Sequence, residues 1–441
     1  MLERSSWQPR LAPGPGLLHE RLATAFAEDI VEQVIAAGAR LPAHRDLAYR
    51  LGVSVGTVTK AYGLLERQGL VKSDKGRATF AIGTSRSRSP FIDLSVNVPP
   101  RVISDRLLSA TMSEVAKSID ANTFNAYPPP EGEYAHRATV AAWISEVRLK
   151  VRPEEVILCN GARHALSIAF SAVHGPGTTI LTEALPYHGA LQICQAARMN
   201  LEGLPMDAEG MDADALRSRL ERGSKFRKAC VVYVTPTAQN PTGRSMSLAR
   251  RLEIVDVCRT FETVIIEDDV YAAFGDKSVP TIRELAPERT IYVGGLSKTL
   301  TPGLRIGFLV CTEKFRATAI RILTALGSPV SPLCCLIMDR WIVNGTASHL
   351  SDSVCAEASR RMALASQILG CPPTGSVLHA FLELPPQTCM RVAWRAAELG
   401  VRVTAPSICL RTETPVGIRL CLGGPPIDQL EQALRLVGGL L

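Results

Sequence analysis

Between Val156 and Val310 the chain alternates six short, largely apolar runs with stretches of helical period. The runs are Val156–Cys159, Thr179–Leu181, Cys230–Thr235, Val264–Glu267, Thr290–Val293 and Gly307–Val310. The helical stretches between them are Arg163–Val173, His188–Ala197, Asp214–Glu221 and Leu248–Arg259. A strand that is apolar on both faces has to be covered on both, and helices interleaved in sequence supply the cover. The pattern predicts an open α/β sheet in a body that starts near Ile92, with a smaller α+β lobe from about Ala347 to Leu441.

The first 83 residues follow a different pattern. Leu22, Ala25, Phe26, Ile30, Val31, Val34 and Ile35 lie on one face at a 3.6-residue period, which predicts a helix over Leu18–Ala37 stopped by Gly38. A short helix over His44–Leu51 is broken by Gly52, and Ser54 is a good N-cap for a helix over Val55–Gln68. Two short strands, Leu70–Ser73 and Arg77–Ala81, then flank a turn holding Asp74, Lys75 and Gly76. Helix, short helix, turn, helix and hairpin describe a winged helix-turn-helix.

The run from Leu41 to Val71 resembles the DNA-binding domain of GntR-type bacterial repressors, through Leu41, Pro42, Arg45, Leu47, Ala48, Gly52, Val53, Ser54, Thr57, Val58, Ala61, Tyr62, Leu65 and Gly69. The resemblance implies that the helix starting near Ser54 enters the major groove of double-stranded promoter DNA. It makes Arg45, Ser54, Thr57 and Thr59 the candidate contacts, with Gly76 and Arg77 in the wing. Arg45 and Arg77 suit phosphate, and Ser54 sits at the positive end of a helix. Val55 and Gly56 stand where that family often carries polar or basic residues, and neither can make a bidentate base contact.

Charge agrees with this division. Of a net +7 over 441 residues, residues 1–91 carry +5, from 13 Lys and Arg against 8 Asp and Glu. A basic segment on a near-neutral body suits a polyanionic partner. Residues 84–91, TSRSRSPF, form a polar tether that spans at most about 28 Å. No uncharged apolar run is long enough to cross a bilayer, no signal-peptide core follows Met1, and the 12 cysteines show no CxxC pair or zinc spacing. An intracellular, cytoplasmic protein with reduced thiols, no metal and no membrane association is the expectation.

Four segments of the body carry chemistry. Ser297-Lys298 follows a strand and a small-residue turn, and Arg305 comes seven residues later, before the next strand. Asp268, in Glu-Asp-Asp-Val-Tyr271, ends a buried strand, where α/β proteins hold ligands. Asn240 lies in Asn-Pro-Thr-Gly243, and Asn160-Gly161-Ala162-Arg163 opens a helix whose amides can hold a phosphate.

In this order the segments resemble those of fold-type I pyridoxal-phosphate (PLP) aminotransferases. The resemblance implies a Schiff base at Lys298, Asp268 on the pyridine nitrogen, and Asn240 and Tyr271 on the ring's phenolic oxygen. It gives the phosphate to Gly161, Ala162, Arg163 and Arg305, and makes Ser297 a further cofactor-binding residue. Tyr187 matches the stacking aromatic, Tyr127 a tyrosine that reaches the phosphate of the neighbouring subunit in a homodimer, and Arg419 the clamp for a substrate carboxylate. Gly295 replaces a frequent serine, and Arg163 a commoner glutamine. A GntR-like module ahead of such a body resembles the MocR-type transcriptional regulators, which implies a DNA-binding sensor of PLP or of an amine or amino acid that forms an external aldimine with it. Two other readings stay open: an active aminotransferase carrying a DNA module, and a scaffold that dimerises without cofactor.

Overall fold

The computed structural model describes residues 9–13, 17–31, 34–36, 38–67, 70–74, 78–81, 91–225, 229–370, 377–404, 409–411 and 416–441. It divides into two units, Met1–Ser89 and Pro90–Leu441. Gly76, Arg77 and the tether before Phe91 lie outside the described residues.

In the first unit, helices Leu18–Val31, His44–Leu51 and Val55–Arg67 precede an antiparallel hairpin, Val71–Asp74 with Ala78–Ala81. Gly52 ends the second helix at φ 63°, a left-handed conformation that glycine adopts without a Cβ penalty. Ser54 Oγ accepts the Thr57 amide at 3.1 Å and so caps the third helix. Leu22, Phe26, Leu47, Val58 and Leu65 form the core. The first helix is shorter than its apolar period predicts. It ends at Val31, after which the Ile35 amide returns to the Asp29 carbonyl at 2.9 Å. Ile35 is thereby buried, whereas Val34 is 58% exposed.

In the second unit a seven-stranded sheet runs in the order Val156–Cys159, Gly307–Val310, Thr290–Gly295, Val264–Asp268, Cys230–Val234, Thr179–Glu183, Asn200–Leu204. Gly307–Val310 is antiparallel to both neighbours; the other strands are mutually parallel. All six predicted runs are strands of this sheet. The seventh, Asn200–Leu204, carries Asn200, Glu202 and Gly203 and lies on an edge, where one side needs no partner. Ile157, Phe170, Ile266 and Val293 belong to one of its cores, Leu181, Val232, Ile254 and Ile265 to another. A separate core, with Val354, Leu378, Val392, Ile418 and Leu434, belongs to the C-terminal lobe and takes in Leu94. Leu94 arrives on the strand Ile92–Leu94, which pairs in parallel with Val401–Val403. Among the described residues no helix is long and apolar enough to cross a membrane.

Candidate active site

Strand Val264–Asp268 delivers its last residue, and strand Cys230–Val234 the residue after its end, Thr235, to a cavity of about 360 Å³. Ala162, Arg163, Tyr187, Asn240, Asp268, Tyr271, Ser297, Lys298, Arg305 and Arg419 all line it, residues that the sequence spreads over more than half its length. Gly161 stands immediately behind, packed on Arg305. Tyr127 is not among the lining residues and is 98% exposed.

Lys298 and Arg305 both lie on the connection between the adjacent antiparallel strands Thr290–Gly295 and Gly307–Val310. The chain turns at Arg305 in a left-handed conformation, φ 53°, which is strained for a residue with a side chain. That turn brings its guanidinium to the Asn160 carbonyl at 3.2 Å, beside the N-terminus of helix Ala162–Val173. The backbones are too close there for side chains. A Cβ on Gly307 would come 2.3 Å from the Gly161 carbonyl carbon, and one on Gly161, at φ 83°, would come 2.9 Å from Arg305. Arg163 is exposed and donates to Gln192 at 2.9 Å.

The Lys298 ammonium donates to the Asn97 carbonyl and lies 6.0 Å from the centre of the Tyr271 ring. Burial is the main cause that lowers its pKa, to about 8. Burial likewise pushes Asp268 up to about 6, against the pull of the Tyr233 hydroxyl, which donates to Oδ2 at 2.9 Å. Asp268 Oδ1 is buried with no partner among the described residues. Behind them Glu183 accepts the Thr235 amide at 2.9 Å, and burial raises it to about 7.

The C-terminal lobe supplies Arg419. It donates to Asn240 Oδ1 at 2.7 Å, to the Ser95 carbonyl at 3.0 Å and to Thr404 at 3.3 Å. Asn97 donates to the Tyr271 hydroxyl at 2.7 Å. Sequence motifs pointed to none of Ser95, Asn97, Tyr233 or His379. Tyr233 could have been found as the one aromatic hydroxyl in the apolar run Cys230–Thr235.

In the first unit Arg45, Ser54 and Thr59 are exposed, and Thr57 is half-buried. The Ser54 and Thr57 hydroxyls are 2.9 Å apart, and Thr59 Oγ1 donates to the Val55 carbonyl and sits 3.0 Å from His44 Nδ1. Tyr62 ties the segment ahead of the helix His44–Leu51 to the helix Val55–Arg67 by donating to the Pro42 carbonyl at 2.8 Å.

Residues 89–437 match the family Aminotransferase class I and II, and residues 18–81 match the bacterial regulatory proteins of the gntR family. The chain is 24% identical over 452 residues to the HTH-type transcriptional regulator YdeF of Bacillus subtilis, covering 99% of this chain and 97% of that one. It is 26% identical over 429 residues to the HTH-type pyridoxine biosynthesis transcriptional regulator PdxR of Corynebacterium glutamicum, covering 90% and 91%. An archaeal alanine:glyoxylate aminotransferase shares the fold, with a TM-score of 0.74 at 21% identity over 87% of this chain and 94% of that one.

The body is therefore a class I and II aminotransferase domain, of the fold built around PLP. With the gntR module ahead of it, the chain belongs to the MocR-type transcriptional regulators.

Proposed function

We propose that the protein binds double-stranded promoter DNA through its first unit, holds PLP in its body, and changes DNA affinity when PLP, an amine or an amino acid occupies the pocket. The observation that carries this reading is the convergence of Lys298, Asp268, Tyr271, Asn240, Arg305 and Arg419 on one cavity in a chain with a gntR module.

The residues fit the cofactor. Asp268 Oδ1 is a buried acceptor in want of a donor, as a protonated pyridine nitrogen would be. The close backbone approach at Gly161 and Gly307, beside Arg305 and a helix N-terminus, suits a phosphate. Ala162 and Arg163 would serve the same anion, Ser297 would also contact the cofactor, Tyr187 would stack on the ring, and Tyr271 and Asn240 would meet its oxygen. PLP supplies an aldehyde for amines and an electron-withdrawing ring. Lys298, partly neutral near pH 8, is the amine that meets the aldehyde. A carboxylate arriving at Arg419 competes with Asn240 and the Ser95 carbonyl for its N–H groups. Ligand arrival thus re-sorts contacts between lobes, the differential interaction any switch requires.

The body acts as a homodimer, with Tyr127 reaching outward to a second copy; Leu108, Met112, Ile119 and Phe124, all at least 40% exposed, supply apolar surface in the same stretch of chain. The place of action is the cytoplasm, with no membrane partner and no metal. The intact lysine and arginine also favour a second reading, transamination of an amino acid. Promoter affinity with and without PLP and candidate amines, measured beside amino-donor turnover, separates the two. Affinity that never responds, together with turnover on the order of 10 per second, replaces the regulator by an enzyme.

A further inference from the structure

Asn97 occupies a crossing that none of the contacts assigned above explains. Its Nδ2 lies 2.7 Å from the Tyr271 hydroxyl and 3.1 Å from His379 Nδ1, and its main-chain carbonyl holds Lys298. Oδ1 is buried without a partner among the described residues. His379 is fully buried on the strand His379–Glu383. Burial, reinforced by Arg419 and Lys298, lowers its pKa to about 3 and keeps the ring neutral. A neutral imidazole has one accepting nitrogen. With Nδ1 accepting from Asn97, the amide has a second hydrogen, and that one goes to the Tyr271 oxygen. The Tyr271 hydrogen then remains for donation, and a phenol that accepts one hydrogen bond donates a stronger one.

We propose that Asn97, oriented by His379, is a positioning residue that makes the Tyr271 hydroxyl a donor toward the ligand in the pocket. The inference rests on the PLP reading above. The other titratable groups around Tyr271 and Lys298 are Asp268, Tyr187, Arg419 and Cys421; burial raises the Tyr187 and Cys421 pKa values, which leaves both uncharged near neutral pH. A hydrogen donated to the cofactor's ring oxygen stabilises negative charge there. The nitrogen joined to Lys298 then gives up its proton at a lower pH, and loss of the donor raises that midpoint.

The test is an absorbance titration of the full-length PLP-loaded protein against pH for wild type, Asn97→Ala, Tyr271→Phe and the double variant. Asn97→Ala should raise the midpoint by about half a unit to one unit, the scale of one hydrogen bond. Tyr271→Phe should raise it further, and Asn97→Ala should add nothing in that background. His379→Gln gives a second route should Asn97→Ala fail to fold, and it should shift the midpoint upward by less. An unmoved or lowered midpoint, or an equal shift persisting without the Tyr271 hydroxyl, overturns the inference alone. A wild-type protein that forms no chromophore removes the PLP reading and this inference with it.

Discussion

Lys298 should capture PLP at neutral pH far faster than an ordinary lysine, because only the neutral amine attacks an aldehyde. With a pKa of about 8, roughly one Lys298 in eleven is neutral at pH 7. At an ordinary pKa of about 10.4 the fraction is about one in 2,500, so the environment is worth about 200-fold in attacking species. The perturbation is pH itself. Apoprotein mixed with a fixed excess of PLP in a stopped-flow spectrometer should show capture accelerating about tenfold per unit below pH 8 and levelling above it. Burial is the main cause, so charge-removing variants should move the bend without abolishing it. Arg419→Ala removes a neighbouring positive charge and should move it up; Asp268→Asn removes a negative one and should move it down. A rate that climbs at full slope from pH 9 to pH 10 would refute the assignment of a depressed lysine.

Three further outcomes are expected. Lys298→Ala should keep its fold and its DNA affinity but lose the response to PLP and amines, a coupling of about 1–3 kcal/mol that promoter titrations resolve. Arg45→Ala should weaken binding to every DNA sequence and lower the log–log salt slope by about 0.9, as loss of one phosphate contact does; affinity unchanged at all salt concentrations counts against the docking. Gly161→Ala puts a Cβ on a backbone at φ 83° and ψ 164°, against Arg305, and should cost about 1–3 kcal/mol in thermal unfolding together with PLP affinity.

The predicted strands were legible because a strand covered on both faces has to be a continuous apolar run, and Val156–Cys159, though at an edge of the sheet, and Gly307–Val310 match residue for residue, each buried throughout. The edge strand Asn200–Leu204 escaped because an edge tolerates the polar and glycine residues that elsewhere mark a turn. The overlong first helix followed from periodicity alone: Val34 and Ile35 continue the apolar face, yet the bend at these two residues buries only the second. Lys298, Asp268 and Asn240 stood out because their chemistry comes with local neighbours of fixed kind. Asn97 and His379 are 282 residues apart and share no local pattern; only the fold makes them partners.

The strand Ile92–Leu94 joins two ends of one mechanical line. The Ile92 amide is anchored to the Gly400 carbonyl at 2.8 Å, and Arg402 lies 5.0 Å over the Phe91 ring, at the mouth of the tether. Three residues past this strand is Asn97, holding Lys298, and between them the Ser95 carbonyl holds Arg419. From the lysine's acceptor to the tether is a covalent path of about 20 Å at most. If a ligand draws Arg419 off Ser95, as proposed, the segment it releases is the one that continues through the strand Ile92–Leu94 to Phe91.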